Sequence, residues 1–257
     1  MSAALPNGLK LGKKAARHSI VYNFNDFFDA KKLPKAPAVF GYYGAVDQFF
    51  MLGNADYSDC VFAGAAHETM IWNVGAGRRR TPFLTKDVLA DYSAVTGFNP
   101  KDPRTDQGTD MAAAAKYRQD VGVRDAKGVR HKIDCYLALK IGNLDQLIAA
   151  MYLFGAVGVG VQMPSGADRQ FDNKQPWDVP ARPDIVGGHY VVGAGRNAAG
   201  NIIVITWGRT HEMTPQFYER FSDESVAYLS LDALDAKNLS PEGYDAVTLR
   251  QTMKRFG

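Results

Sequence analysis

Two cysteines in 257 residues are too few for a disulfide framework. Their separation, from Cys60 to Cys135, matches no metal-ligand spacing. Charge of one sign is also scarce. Thirty basic against 27 acidic residues leave a net charge of +3, too small to argue for nucleic acid as a partner. No run approaches the roughly 20 apolar residues of a membrane-spanning helix. The longest apolar stretches are "LIAAMYLFGAVGVGV" and "NIIVITWG", and glycines interrupt the first. The opening "MSAALPNGLKLGKKAARHS" is basic but lacks the continuous apolar core of a signal peptide, which leads us to expect a cytoplasmic protein. There is no phosphate-loop pattern and no dinucleotide glycine turn after a strand. Neither metal nor cofactor is expected. What is present is a globular balance, 46% hydrophobic and 22% charged, in a chain long enough for one large domain or two tightly joined lobes.

Residues 1–37 read as a basic arm. Lys10, Lys13, Lys14 and Arg17 cluster there, and "KKLPKAPAV" suits neither helix nor sheet. The arm is a solvated tail packed along the body, a docking arm for a protein partner, or the remnant of a propeptide. From Cys60 to about Val74 the residues are small or apolar, apart from His67 and Glu68, as in a central helix packed on several sides. Further helices are expected from Thr85, in the alanine-rich "TDMAAAAKYRQDVGV" closing at Gly122, and in "NLDQLIAAMYLFG" behind an Asn cap. Strands are expected in "HKIDCYLALK", "AVGVGVQMP" and "SVAYLSL", and a hairpin in "GGHYVVGAGRNAAGNIIVITWG". Met213, Phe217, Tyr218 and Phe221 are spaced for one amphipathic helix. A helical front half and a strand-rich back half predict an α+β fold. The division is an arm (1–37), a helical lobe (38–130) and a strand-rich lobe (131–257), with the boundary between residues 125 and 150.

Cys60 falls where the turn-prone "GNADYSD" gives way to the helix. A thiol at a helix N-terminus feels the positive end of the dipole, which favours thiolate. Ser58 or Asp59 can cap that helix, although the charge of Asp59 opposes a thiolate next door. A thiol nucleophile needs a general base within hydrogen-bond reach. His67, seven residues on, lies about 10 Å further along the axis and reads as a packed helix histidine. His18 belongs to the arm, His131 to an exposed charged stretch, and His211 to a loop. His189 opens an apolar strand directly after Gly187 and Gly188, which let another element approach the backbone closely. It is the best candidate base.

These segments, taken in order, resemble the papain-like cysteine peptidases. "GNADYSDCVFAGAA" is similar to that family's oxyanion residue, turn, nucleophile and central helix. "FLTKDVLADYSAVTG" and "DQGTDMAAAAKYRQDVGV" resemble the second helix, and the glycine-rich turn and helix that come next. "NLDQLIAAMYLFGAVGVGVQM" resembles the opening of the second lobe, "GGHYVVGAG" the histidine strand, and "NIIVITWG" the strand carrying the family's tryptophan. The match spans residues 38–210. It implies a papain-like two-lobe fold, with a helical N-terminal lobe around a central Cys-bearing helix and an antiparallel β-barrel-like C-terminal lobe. It implies Cys60 as nucleophile, His189 as general base, Asn54 as oxyanion donor in place of a glutamine, and Trp207 covering the histidine. Two features depart from the family. Ile205 stands where an asparagine orients the histidine, and strand alternation from that position sends Thr206, the other possible support, to the opposite face. The disulfide beside the nucleophile is missing.

The resemblance supports a thiol hydrolase, a cysteine peptidase acting on a peptide or protein substrate through a Cys–His pair. Ile205 and Asn54 motivate an alternative: a degenerate papain-fold binding or assembly protein, for example a particle or virion component.

Overall fold

The computed structural model describes residues 3–17, 19–28, 35–235 and 239–240. His18, part of "KKLPKAPAV" and the end of the strand-rich segment lie outside these. In chain order the elements are α1 (Phe24–Phe27), α2 (Cys60–Gly75), α3 (Thr85–Thr96), α4 (Met111–Asp120), β1 (Val123–Arg124), β2 (Arg130–His131), β3 (Ile133–Ala138), α5 (Leu144–Phe154), β4 (Val157–Pro164), α6 (Ala167–Asp172), β5 (Ile185–Arg196), β6 (Ile202–Thr206), β7 (Arg209–Met213), α7 (Pro215–Phe221) and β8 (Ser222–Ser230).

The helices start and stop where side chains satisfy their ends. Asp110 accepts from Ala113 N–H at the start of α4, and Asn143 from Gln146 N–H at the start of α5. Gly97 and Gly155, both at φ 74°, close α3 and α5 in the left-handed conformation. The alanine-rich helix ends at Asp120, two residues short of Gly122. Met213 does not join the helix expected around it. It ends β7, and only Phe217, Tyr218 and Phe221 form the buried stripe of α7, because Thr214 caps the helix and Pro215 fixes its first turn.

Six strands form one antiparallel sheet in the order β3-β8-β4-β5-β6-β7. The period-two alternation of β5 and β6 divides two cores. Val191, Ile202 and Val204 face a cluster built with α5 and α7. Tyr190, Val192, Ala194 and Ile205 face one built around α2, α3 and α4. Helix α2 is buried almost all round, from Cys60 to Asn73, which is why its sequence shows little amphipathic pattern. Gly64 lets it lie against β5: a Cβ there would overlap the Tyr190 ring. Inside this core Glu68 pairs with Arg118 at 2.5 Å, and Tyr190 donates to the other carboxylate oxygen at 2.5 Å. The α+β expectation holds. None of the described helices is long and apolar enough to cross a membrane.

Candidate active-site cleft

Cys60 is the first residue of α2, and its side chain is buried. Burial pushes its thiol up to about 12, against backbone hydrogen bonds from Tyr190 and Gly12 and the nearby Lys13 charge. Asp59 occupies the cap position but bonds no helix amide. Both of its buried carboxylate oxygens lack a hydrogen-bond partner among the described residues, and burial, with Asp106 and Asp56 nearby, raises its pKa well above the usual carboxylate value. The Asp59 charge adds to the upward shift of the Cys60 thiol, the opposition to a thiolate expected of its place beside it. No disulfide joins Cys60 to Cys135.

His189 lies in β5, fully buried. Its Nε2 is 2.7 Å from Thr206 Oγ1, and its Nδ1 has no partner among the described residues. Burial lowers its pKa to about 3. Its ring stacks on Trp207, with centroids 4.3 Å apart and planes inclined by 18°. Trp207 adopts a left-handed backbone, φ 43°, a conformation that costs a non-glycine residue roughly 1–3 kcal/mol.

The expected orientation of Thr206 is corrected here. Alternation places Thr206 on the same face as Val204, which is the face of His189 and Val191. Ile205 points the other way, toward α2. A hydroxyl one position along from the expected asparagine thus holds the ring. If Nε2–H donates to Thr206, Nδ1 presents its lone pair. Asn54 is buried in the turn before α2, and its Oδ1 lacks a partner among the described residues.

The other described histidines settle into structural roles. His67 is buried, with Nε2 2.8 Å from the Phe50 carbonyl oxygen and its pKa lowered to about 4 by burial. His211 is not in a loop but in β7, buried among aromatic rings. His131 is not exposed. It sits half-buried between Asp232 at 2.8 Å and Asp125 at 3.3 Å.

Sequence reasoning missed Asp106, the brace of the site. It accepts from the backbone and hydroxyl of Ser58 and, at 2.8 Å, from the Tyr92 hydroxyl, whose oxygen accepts from Gly108 N–H at 2.9 Å. The Cys60 turn and the Gly108 turn are thereby fixed to one carboxylate. No local pattern marks Asp106, because its partners are spread from Ser58 to Gly108.

The arm runs through the cleft between these two rims. It is not a solvated tail there, since Leu5, Leu11 and Lys13 are buried. Thr109 N–H donates to the Gly12 carbonyl at 2.7 Å, Lys14 N–H to the Thr109 carbonyl at 2.9 Å, and Lys13 N–H to the Gly188 carbonyl at 3.0 Å. Trp207 Nε1–H donates to the Lys10 carbonyl at 3.3 Å, and Arg17 N–H to the Asp110 carboxylate at 2.7 Å. Glycines clear the path. A Cβ on Gly12 would overlap the Ser58 carbonyl, on Gly108 the Gly12 carbonyl, and on Gly188 the Lys13 carbonyl. The element that Gly187 and Gly188 admit is the chain's own N-terminal segment.

No protein-family model matches the sequence, and no curated protein matches it significantly. Solved structures do match. Xylellain, a cysteine protease from Xylella fastidiosa, superposes with a TM-score of 0.65 at 12% identity, covering 89% of this chain and 98% of that one. Procathepsin B S9 from Trypanosoma congolense gives 0.61 at 11% identity, covering 86% of each chain. Procathepsin L2 from the larval midgut of Tenebrio molitor gives 0.56 at 16% identity, covering 89% and 84%. At such identities the likeness is one of architecture, and the chain has a divergent papain-like two-lobe fold.

Proposed function

We propose that the chain is a thiol hydrolase, a cysteine peptidase whose cleft is closed by its own N-terminal arm. One observation carries the reading. Residues 12–14 already lie as an extended peptide beside Cys60, hydrogen-bonded through their backbone to Thr109 on one side and Gly188 on the other. A cleft that binds extended backbone next to a thiol and an imidazole is built for a peptide or protein substrate.

In the reaction, Cys60 passes its proton to His189 Nδ1 and the thiolate sulfur attacks the substrate carbonyl carbon. The Cys60 backbone N–H and the Asn54 side-chain amide receive the oxyanion. Collapse expels the amine, which takes the proton from His189, and water then hydrolyses the thioester. Thr206 acts as a positioning residue for the ring, and Trp207 covers it. In the closed state the chemistry is silent. Burial holds Cys60 as thiol and His189 as neutral imidazole, and solvent must enter before either titrates in the working range. The described arm residues 3–17 are in this reading a tethered plug. The two procathepsins among the structural neighbours are proforms by their descriptions, which agrees with it.

The second reading, a non-catalytic binding or assembly protein, is favoured by one fact: His189 Nδ1 has no hydrogen bond to the thiol. Iodoacetamide labelling of Cys60 against pH separates the two, with Cys135 as internal reference. The full chain is compared with a Gly12→Ala/Lys13→Glu form, whose arm cannot lie in the cleft. Hydrolase chemistry predicts slow labelling of the native chain and fast labelling of the opened one that persists below pH ~7 and is lost with His189→Ala. An opened form whose labelling rises only near the free-thiol value of about 8.5 supports the non-catalytic reading.

A further inference from the structure

Beside the thiol, the Lys13 side chain enters a pocket floored by acid. Its Nζ lies 2.9 Å from Asp223 Oδ2 and 3.0 Å from Glu224 Oε2, and the lysine side chain is 1% exposed. The pocket is built, not incidental. The β4–β8 register shifts between Gly160 and Val161, whose partners are Glu224 and Ser222. Asp223 is the extra residue of that bulge, and such an irregularity lets two successive carboxylates reach one point. Gln162 Nε2 donates to Asp223 Oδ2, while Asp223 Oδ1 is buried without a partner among the described residues. Gly160 forms the wall. A Cβ there would overlap Lys13 Cε and meet Asp223 Oδ1 at 2.8 Å, so the pocket's width depends on the missing side chain.

Once the arm leaves, this pocket holds two carboxylates with no cation among the described residues. Carboxylates held in a partly buried site are costly until a positive charge returns. Lys13 reaches the pocket while its backbone N–H donates to Gly188, the residue before His189, and its neighbour Gly12 lies against Cys60. A substrate backbone in the same cleft has the same reach.

We infer that the Asp223–Glu224 pocket selects substrate, and that the enzyme takes peptides carrying lysine or arginine within two residues of the scissile bond. Lys13 fills the pocket as an internal mimic of that side chain. This rests on the hydrolase reading above, and the test separates the two. The Gly12→Ala/Lys13→Glu chain is prepared with Cys60→Ala, so that it binds without reacting. Two fluorescein-labelled peptides, identical but for lysine against norleucine, are titrated into it. The lysine peptide should bind at least ~10-fold tighter, since a site built for a polar group rejects the analogue lacking it. Asp223→Asn/Glu224→Gln in the same chain should remove the difference. Equal affinity for the two peptides, or binding of neither, overturns the inference without recourse to any pocket variant. The same peptides are then offered to the opened chain with Cys60 restored. Binding with preference but no cleavage leaves the pocket standing and removes the hydrolase. Cleavage without preference does the reverse.

Discussion

Two buried cations in this molecule meet carboxylates in opposite ways. Arg118 lies deep in the helical core. Its side chain is 1% exposed and its partner Glu68 0%, the guanidinium sits over the Tyr228 ring at 4.1 Å, and Tyr190 completes the carboxylate's bonding. Lys13 is as buried, but its partners Asp223 and Glu224 are 25% and 15% exposed, and it belongs to an arm that reaches them through a cleft. The first site joins α2, α4 and the sheet, and both of its partners are sealed from solvent. The second is a socket at a surface that any basic side chain on an extended backbone can enter. Burial of the cation alone does not tell a structural pair from an exchangeable one. The exposure of its partners and the path to it do.

The largest effect should come from breaking the sealed site. Arg118→Met leaves Glu68 without its cation in the core and should cost about 3–5 kcal/mol in urea unfolding. A loss below about 1 kcal/mol would mean that Glu68 simply takes up a proton there, as its burial-raised pKa encourages. Next in size is the socket. Lys13→Glu should cost far less global stability yet speed Cys60 alkylation about tenfold or more, because each 1.4 kcal/mol taken from a local opening is a factor of ten in access. If stability and labelling instead fall and rise together in both variants, the arm is part of the global core and the contrast fails. Within the socket, Lys13→Arg should keep Cys60 protected and Lys13→Met should not.

The smallest effect belongs to a third, half-exposed site. Burial pulls the His131 pKa down, but the bonds and charges of Asp232 and Asp125 outweigh it, and the net shift is upward. A cationic group whose folded pKa is raised stabilises the fold fully below its unfolded value of about 6.5, and the contribution is lost as pH rises through the folded value. The Tm difference between the native chain and His131→Asn should therefore shrink from pH 5.5 to pH 8. A difference independent of pH would leave His131 as a packing residue only.

Much of this was legible in the chain. The helix after Cys60, the start of α3 at Thr85, the Asn143 cap and the β5–β6 hairpin follow from caps, glycines and periodicity, which act within a few residues. His189 stood out because Gly187 and Gly188 precede it. Thr206 did not, because counting back from Trp207 assigned the wrong face. The face of a strand is fixed by its neighbours' register, and only β5 beside β6 shows that His189 and Thr206 share one.

The sequence by itself determined the main helices and the β5–β6 hairpin, since helix ends, turns and strand alternation are local preferences written in adjacent residues, whereas β7, read there as loop and helix, needed its β6 partner. Only the tertiary structure decided that Asp106 braces two turns, that Asp223 and Glu224 converge at one bulge, and that a basic arm far away in sequence lies across the thiol with Lys13 in their pocket. The physical reason is range. Hydrogen bonds and charges between residues as far apart as Lys13 and Asp223 exist only once the whole chain has folded, and no local pattern encodes them.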